Sequence, residues 1–392
     1  MKLFPALFLG LWLLTIGCVQ NDHDDSKAIL TTELESIKSE YVPDRRLQIF
    51  DYEIHPEENK VTGRTSNQEA FNRVMNLSQS FPKVKLDSFF HITPVGAGLI
   101  NVSVGNIRSN PSHSAELSTQ VLMGHEVVIW ENDGYWSYIQ TPDDYLGWID
   151  QGALVVPDKA ALADYHDAPK LMYRNDFGFC YANPQKSGPI VSDLVAGDIL
   201  RKTGVQGKFT SLLLPDGREA YVPTDETQSL ESLSGKGVPD WESIRNTAFQ
   251  FMGRPYLWGG TSGKGVDCSG FTKMVYYLNG LELPRDASQQ VRSGVEIPLD
   301  ENLSRLEPGD LLFFGYKDKD GKKDRITHVG IHIGEGRMIH SSQRVMVQSL
   351  MPGDPDFAPN RRETLLVAKR MIEDATLAQG VLPIKNDPAY GF

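Results

Sequence analysis

Gly263-Lys264-Gly265-Val266-Asp267-Cys268-Ser269-Gly270-Phe271 is the stretch from which the rest of this 392-residue chain is read. The glycines before the cysteine make a loop, and Phe271, Met274, Val275 and Leu278 recur at helical spacing after it, so Cys268 opens a helix. There, backbone N–H groups and the positive end of the helix dipole favour a thiolate, the nucleophilic form of cysteine. A structural cysteine sits more often within an apolar stripe, whereas Cys268 lies among Gly, Asp and Ser. A thiolate nucleophile needs a base. Further along, Thr327-His328-Val329-Gly330-Ile331-His332-Ile333-Gly334 and Arg337-Met338-Ile339-His340 read as two strands about a turn at Glu335-Gly336. Such a hairpin brings the start of the first strand near the end of the second. His328 and His340 then approach each other, one as base and the other as its orienter. His332 shares a strand face with His328 by the period of two and is read as a structural or rim histidine. The six remaining histidines, His23, His55, His91, His113, His125 and His166, carry no local pattern.

The Cys268, His328 and His340 side chains are also good zinc ligands. Structural zinc, however, takes four ligands at close spacing, and neither a CxxC nor a fourth ligand accompanies them. Catalysis is expected, with no metal and no organic cofactor. The chain carries 39 basic against 51 acidic residues, a formal charge of −12, so no whole-chain field draws in nucleic acid. With 40% hydrophobic and 23% charged residues the composition is ordinary for a globular protein and excludes collagen-like, coiled-coil and wholly disordered chains.

Working outward, helical spacing over Trp241 to Met252 and the loop Tyr256-Leu257-Trp258-Gly259-Gly260 precede the cysteine, so a catalytic domain spans 240–392. The polar, Gly/Ser-rich 224–239 reads as a linker. Upstream, short apolar strands repeat at a constant offset: Val121/Leu194, Gly124/Gly197, Val127/Leu200, Gly134/Gly207, Trp136/Phe209, Ile139/Leu212 and Trp148/Tyr221 all pair. Two copies of a small β-barrel, 96–157 and 158–223, are the economical account. Cys180, between Phe179 and Tyr181 in a predicted strand, reads as a small buried hydrophobe. Residues 28–95 form an α+β segment, with a hairpin around Pro56-Glu57-Glu58-Asn59 and a helix over about 67–80 behind the Ser66-Asn67-Gln68-Glu69 capping pattern.

The N-terminus, Met1-Lys2 followed by an apolar run from Leu3 to Ile16, is too short for a spanning helix and fits a secretory signal. Leu14-Thr15-Ile16-Gly17-Cys18 resembles a bacterial lipobox, with Thr15 in place of the usual aliphatic residue. Residues 1–17 are then a removed signal, Cys18 carries lipid, and 18–27 is a flexible tether. An exported lipoprotein, held on a membrane by its lipid, is expected.

Tyr256-Leu257-Trp258-Gly259-Gly260, Asp267-Cys268-Ser269-Gly270-Phe271, Leu283-Pro284-Arg285 with Ser288-Gln289, Leu306-Glu307-Pro308-Gly309-Asp310-Leu311, His328-Val329-Gly330-Ile331 and His340 together resemble the NlpC-type cell-wall cysteine peptidases. The resemblance implies an α+β chain in which a papain-like catalytic domain follows two small SH3-like β-barrels and the N-terminal α+β segment. It implies Cys268 as nucleophile, His328 as general base, His340 as orienter, and an oxyanion site from Tyr256 and the N–H of Cys268. Asn106-Ile107-Arg108-Ser109 and Gly147-Trp148-Ile149 resemble the bacterial SH3-like domain found beside such enzymes, and the second copy resembles it more weakly. Two barrels ahead of this catalytic domain are similar to the γ-D-glutamyl-diamino acid endopeptidases. These cut peptidoglycan stem peptides with a free N-terminal L-Ala, whose ammonium is held in a cleft closed by the first barrel. Glu116 and Tyr145 are the candidates for that end. Trp258, Asp267, Ser269, Arg285 and Ser288 flank the nucleophile or the neighbouring loop, and Arg285 either meets the α-carboxylate of D-Glu or serves in helix capping or structural pairing. The competing readings are a non-catalytic wall-binding lipoprotein and an amidase or acyl transferase on the same scaffold.

Overall fold

A computed structural model describes residues 19–392 apart from 236, 319–320, 322–323, 374–375 and 391–392. The signal and Cys18 lie outside the described residues. The chain divides into two compact units, Met1–Thr93 and Pro94–Phe392.

In the first unit the hairpin Phe50–His55 and Lys60–Thr65 turns through Pro56–Glu58, with Asn59 at φ 49°. Asn67 caps the helix Gln68–Ser80 by accepting from the Ala70 N–H at 2.9 Å. The chain then returns as Lys85–His91, parallel to Lys60–Thr65. The tether reading is corrected here: Val19 to Lys27 are the first turns of a helix, Val19–Tyr41. No Gly or Pro interrupts that span, and Leu30, Leu34 and Ile37, one above another on a single face, bury against Val61, Val74 and Phe89. The polar start extends a helix that its apolar half nucleates.

The second unit begins with the two barrels. Their strands correspond throughout: Leu117–Leu122 with Ile190–Val195, Glu126–Asp133 with Ile199–Gln206, Trp136–Gln140 with Phe209–Leu213, and Leu146–Asp150 with Glu219–Pro223. Each copy is a seven-stranded antiparallel sheet with the same strand order. The linker reading is corrected as well. Thr224–Glu226 is a 3-10 turn, Thr227–Ser229 pairs with Lys170–Tyr173, and Leu230–Ser234 is a short helix. Leu230 and Leu233 bury in the catalytic core, so apolar contact overrides a polar, Gly/Ser-rich composition.

Asp240 caps the helix Trp241–Gln250, and Asp267 caps Cys268–Tyr277. The latter is buried on every side, with Phe271, Met274 and Val275 in one core with Phe313, Val329, Ile331 and Ile339 of a six-stranded sheet. The same core includes Leu122, Met172, Val195 and Ile199 from the barrels, so barrels and catalytic fold share their interior rather than touching at a rim.

Candidate active site

Cys268 stands at the first position of its helix, 8% exposed, where a main-chain N–H has no carbonyl within the helix to meet. The histidines come from the neighbouring sheet. Asp324–Gly334 pairs with Arg337–Ser341 through Ile331↔Ile339 and His332↔Met338, which sets His328 Nε2 2.7 Å from His340 Nδ1. Gly330 permits this: a Cβ there would lie 3.0 Å from the Cβ of His340. The Ser341 hydroxyl donates to the Val266 carbonyl at 2.9 Å, tying the histidine strand to the nucleophile loop.

Gln348, which the sequence reading missed, completes the line. On the next strand, Val345–Ser349, it accepts from His340 Nε2 at 2.9 Å. With the amide oxygen so assigned, His340 Nδ1 is an acceptor, His328 Nε2–H donates to it, and His328 Nδ1 keeps its lone pair. Burial lowers His340 to about 4 and His328 well below the usual histidine range, and the Arg361 cation lowers both further. Burial works against the thiolate that the helix start favours. Burial, and then the Asp267 carboxylate, push Cys268 up to about 11 against the pull of the Val329 N–H and Arg285. Burial thus biases both Cys268 and His328 toward their neutral forms, which suits a thiol that gives up its proton to the imidazole only during attack. Tyr256 is half-buried, its hydroxyl pushed up to about 12 by burial and the nearby Cys268. That hydroxyl has no hydrogen-bond partner among the described residues and is free to donate.

The flanking candidates separate into two groups. Arg285 is 1% exposed and spent inside the protein. Its Nη2 donates to Asp267 Oδ2 at 2.6 Å, Nη1 to Asp267 Oδ1 and Ser269 Oγ, and Nε to Thr119 Oγ1 at 2.8 Å. Asp267 also takes the N–H groups of Gly270 and Gly259. Of the two roles open to Arg285, structural pairing is the one present, and the substrate-carboxylate role is corrected: the buried Asp267 carboxylate claims the guanidinium, and Asp267 and Ser269 are turned inward with it.

The second group faces the first barrel. Trp258 is 64% exposed, and its indole N–H donates to Glu116 Oε1 at 2.7 Å. The Tyr145 hydroxyl donates to Asp286 Oδ2 at 3.1 Å; Asp286, also missed from sequence, caps the helix Ala287–Gln290 in which Ser288 lies half-buried. The barrel is seated closely. Gly259, at φ +74°, approaches Leu117 so nearly that a Cβ would lie 2.3 Å from its carbonyl oxygen. Gln120 Oε1 accepts from the Thr261 N–H and the Ser262 hydroxyl.

Two other residues behave structurally. Cys180 is fully buried in the second barrel, as expected. His332 is buried with Nδ1 on the Glu307 carbonyl at 3.0 Å. Among the described residues no group of three or more metal-ligating side chains occurs.

Residues 253–354 match the NlpC/P60 family and residues 107–154 the bacterial dipeptidyl-peptidase SH3 domain. A gamma-D-glutamyl-L-lysine dipeptidyl-peptidase of Bacillus cereus is 30% identical over 251 residues, 62% of this chain and 72% of that protein. Dipeptidyl-peptidase 6 of Lysinibacillus sphaericus is 26% identical over 282 residues, 68% of this chain and 96% of that protein. A crystal structure of an NlpC/P60 family protein from Bacillus cereus superposes with a TM-score of 0.60 at 26% identity, covering 70% of this chain and 99% of that one. The extent of these matches, with a cysteine at a helix start and two bonded histidines on the sheet packed against that helix, shows that the chain belongs to the NlpC/P60 family, as a cysteine endopeptidase with a bacterial SH3 domain ahead of its catalytic fold.

Proposed function

We propose that this peptidase hydrolyses the bond between γ-D-Glu and the diamino acid of peptidoglycan stem peptides, and that it selects peptides with a free N-terminal L-Ala. The observation that carries the reading is the Glu116 carboxylate of the first barrel, held by the Trp258 indole beside the nucleophile loop. An ammonium leaving water needs such a carboxylate, and in this reading the bound peptide's N-terminus, rather than a continuing chain, meets Glu116 and the barrel. The names of the relatives, dipeptidyl-peptidases acting at γ-D-glutamyl-L-lysine, support the same bond.

In this reading the Cys268 sulfur attacks the γ-carbonyl carbon as its proton passes to His328 Nδ1. The Cys268 N–H and the Tyr256 hydroxyl stabilise the oxyanion. His328 returns the proton to the leaving amine, a thioester forms, and water, deprotonated by His328, releases L-Ala-γ-D-Glu and free thiol.

The test is mass spectrometry of L-Ala-γ-D-Glu-L-Lys and its N-acetyl form with the wild type and Cys268→Ala. Dipeptide released from the free-amine peptide alone, and only by wild type, is expected. Cleavage of the acetylated peptide at the same rate would remove the role of Glu116, and no cleavage of either would sink the peptidase reading. Export and lipid anchoring form a companion proposal resting on the sequence of residues 1–18. Labelled palmitate should enter the wild type and not Cys18→Ala, and equal labelling would reject it.

A further inference from the structure

A cavity of about 560 Å³ is lined by Tyr316, Thr327, Gln348, Phe357 and Arg361 among others. Thr327 immediately precedes His328, and Gln348 holds His340. Arg361 is half-buried in this wall. Its guanidinium carbon lies 5.7 Å from the Phe314 ring centre, and that ring lies 5.6 Å from the ring of His328. Its charge is felt at Cys268, Tyr256, His328 and His340.

Three arginines of this unit meet a carboxylate, Arg254 with Asp176, Arg285 with Asp267 and Arg370 with Asp310, while Arg108 and Arg174 donate to the main-chain carbonyls of Ala115 and Leu278 at 2.7 and 2.6 Å. Arg361 has no such partner among the described residues, only a 3.5 Å contact to the Ser342 hydroxyl. A guanidinium partly stripped of water and left without an anion costs free energy that a bound carboxylate recovers, and its fork fits a carboxylate through two parallel bonds.

The position selects which carboxylate. The proposed function assigns the acyl side to Trp258 and Glu116, and Arg361, joined to His328 through the Phe314 ring, is the cation left for the side on which the amine departs. The carbon bearing that amine carries a free carboxylate only where the peptide ends at that residue; a longer peptide has a neutral amide there. We propose that Arg361 binds the α-carboxylate of the residue released by cleavage, so that the enzyme prefers peptides that stop one residue beyond the scissile bond. This inference rests on the proposed function and extends it to the leaving side.

The experiment compares L-Ala-γ-D-Glu-L-Lys with its C-terminal amide, reading kcat/KM for wild type, Arg361→Gln and Arg361→Lys, and calorimetric binding of both peptides to Cys268→Ala. Wild type should favour the carboxylate by about ten-fold or more, the scale of a charge-assisted pair. That ratio should fall to within about two-fold in Arg361→Gln and recover in part in Arg361→Lys. Equal rates and equal binding for the two peptides in the presence of Arg361, or a proportional loss on both in Arg361→Gln, would overturn the proposal and leave the peptidase standing. Failure to bind or cleave either peptide would overturn the function itself.

Discussion

The 2.9 Å bond between His340 Nε2 and Gln348 Oε1 sets the tautomer of both imidazoles, and with it the nitrogen of His328 that is left to take the thiol proton. Gln348→Leu removes the acceptor and leaves a buried N–H unpaired. We expect kcat to fall about 10²-fold, the lower end of what a positioned general base contributes, with KM little changed. Gln348→Glu keeps an acceptor and adds a charge that raises the neighbouring histidine, so activity should persist while the acid limb of the kcat profile moves to higher pH. Equal loss in both variants with an unmoved limb would make Gln348 merely structural. Cys268, His328 and His340 were legible because their cues are local: a polar loop before a helical stripe, and two strands about a Glu-Gly turn. Gln348 and Arg361 were not, because each reaches the site from a later element. Strand register brings in the first, which pairs opposite Met338, and the packing of the helix Pro359–Thr364 brings in the second.

The helix Cys268–Tyr277 begins on a carboxylate that serves two masters, capping the Gly270 N–H and pairing with the buried Arg285. Arg285→Met leaves Asp267 buried without its cation. Urea unfolding should show a loss of about 3 kcal/mol, the scale for breaking a buried pair, and Arg285→Met combined with Asp267→Asn should regain part of it. A loss below about 0.5 kcal/mol, as at an open surface, would mean that the pair is not buried in solution. Arg285 shows where sequence runs out: a cation near a nucleophile invites a substrate role, and only its closure by Asp267, Ser269 and Thr119 assigns it to the scaffold. Residues 224–229 show the reverse. Extending the constant offset a few residues beyond the matched pairs reaches them, since Gln151–Ala153 and Leu154–Val155 of the first barrel correspond to Thr224–Glu226 and Thr227–Ser229 of the second. Composition argued for a linker, and periodicity was the better guide because strand pairing depends on register rather than polarity.

Across the second unit, polar groups are buried at the seam of the first barrel and the catalytic helix. Lys273 lies between Asp143, at 3.2 Å, and Glu282. His125 Nε2 meets the Tyr277 hydroxyl at 2.7 Å, with the Tyr277 and Tyr390 rings edge-on to it. Burial, and then the Lys273 cation, lower His125 to about 3, and burial lowers His340 to about 4. Between the unfolded value near 6.5 and these depressed values, the unfolded chain binds a proton at each position and the folded chain does not. Folding stability therefore rises with pH across that window and is lost on acidification, by about 1.4 kcal/mol per pH unit for each histidine. His125→Gln removes one such proton while keeping a polar side chain at the seam. Urea unfolding at pH 6, 5 and 4.5 should then give a shallower pH slope in the variant, by about 1.4 kcal/mol per pH unit, whatever the variant's stability at neutral pH. Parallel slopes would mean that His125 takes up its proton without unfolding, and that the seam between barrel and catalytic helix admits water.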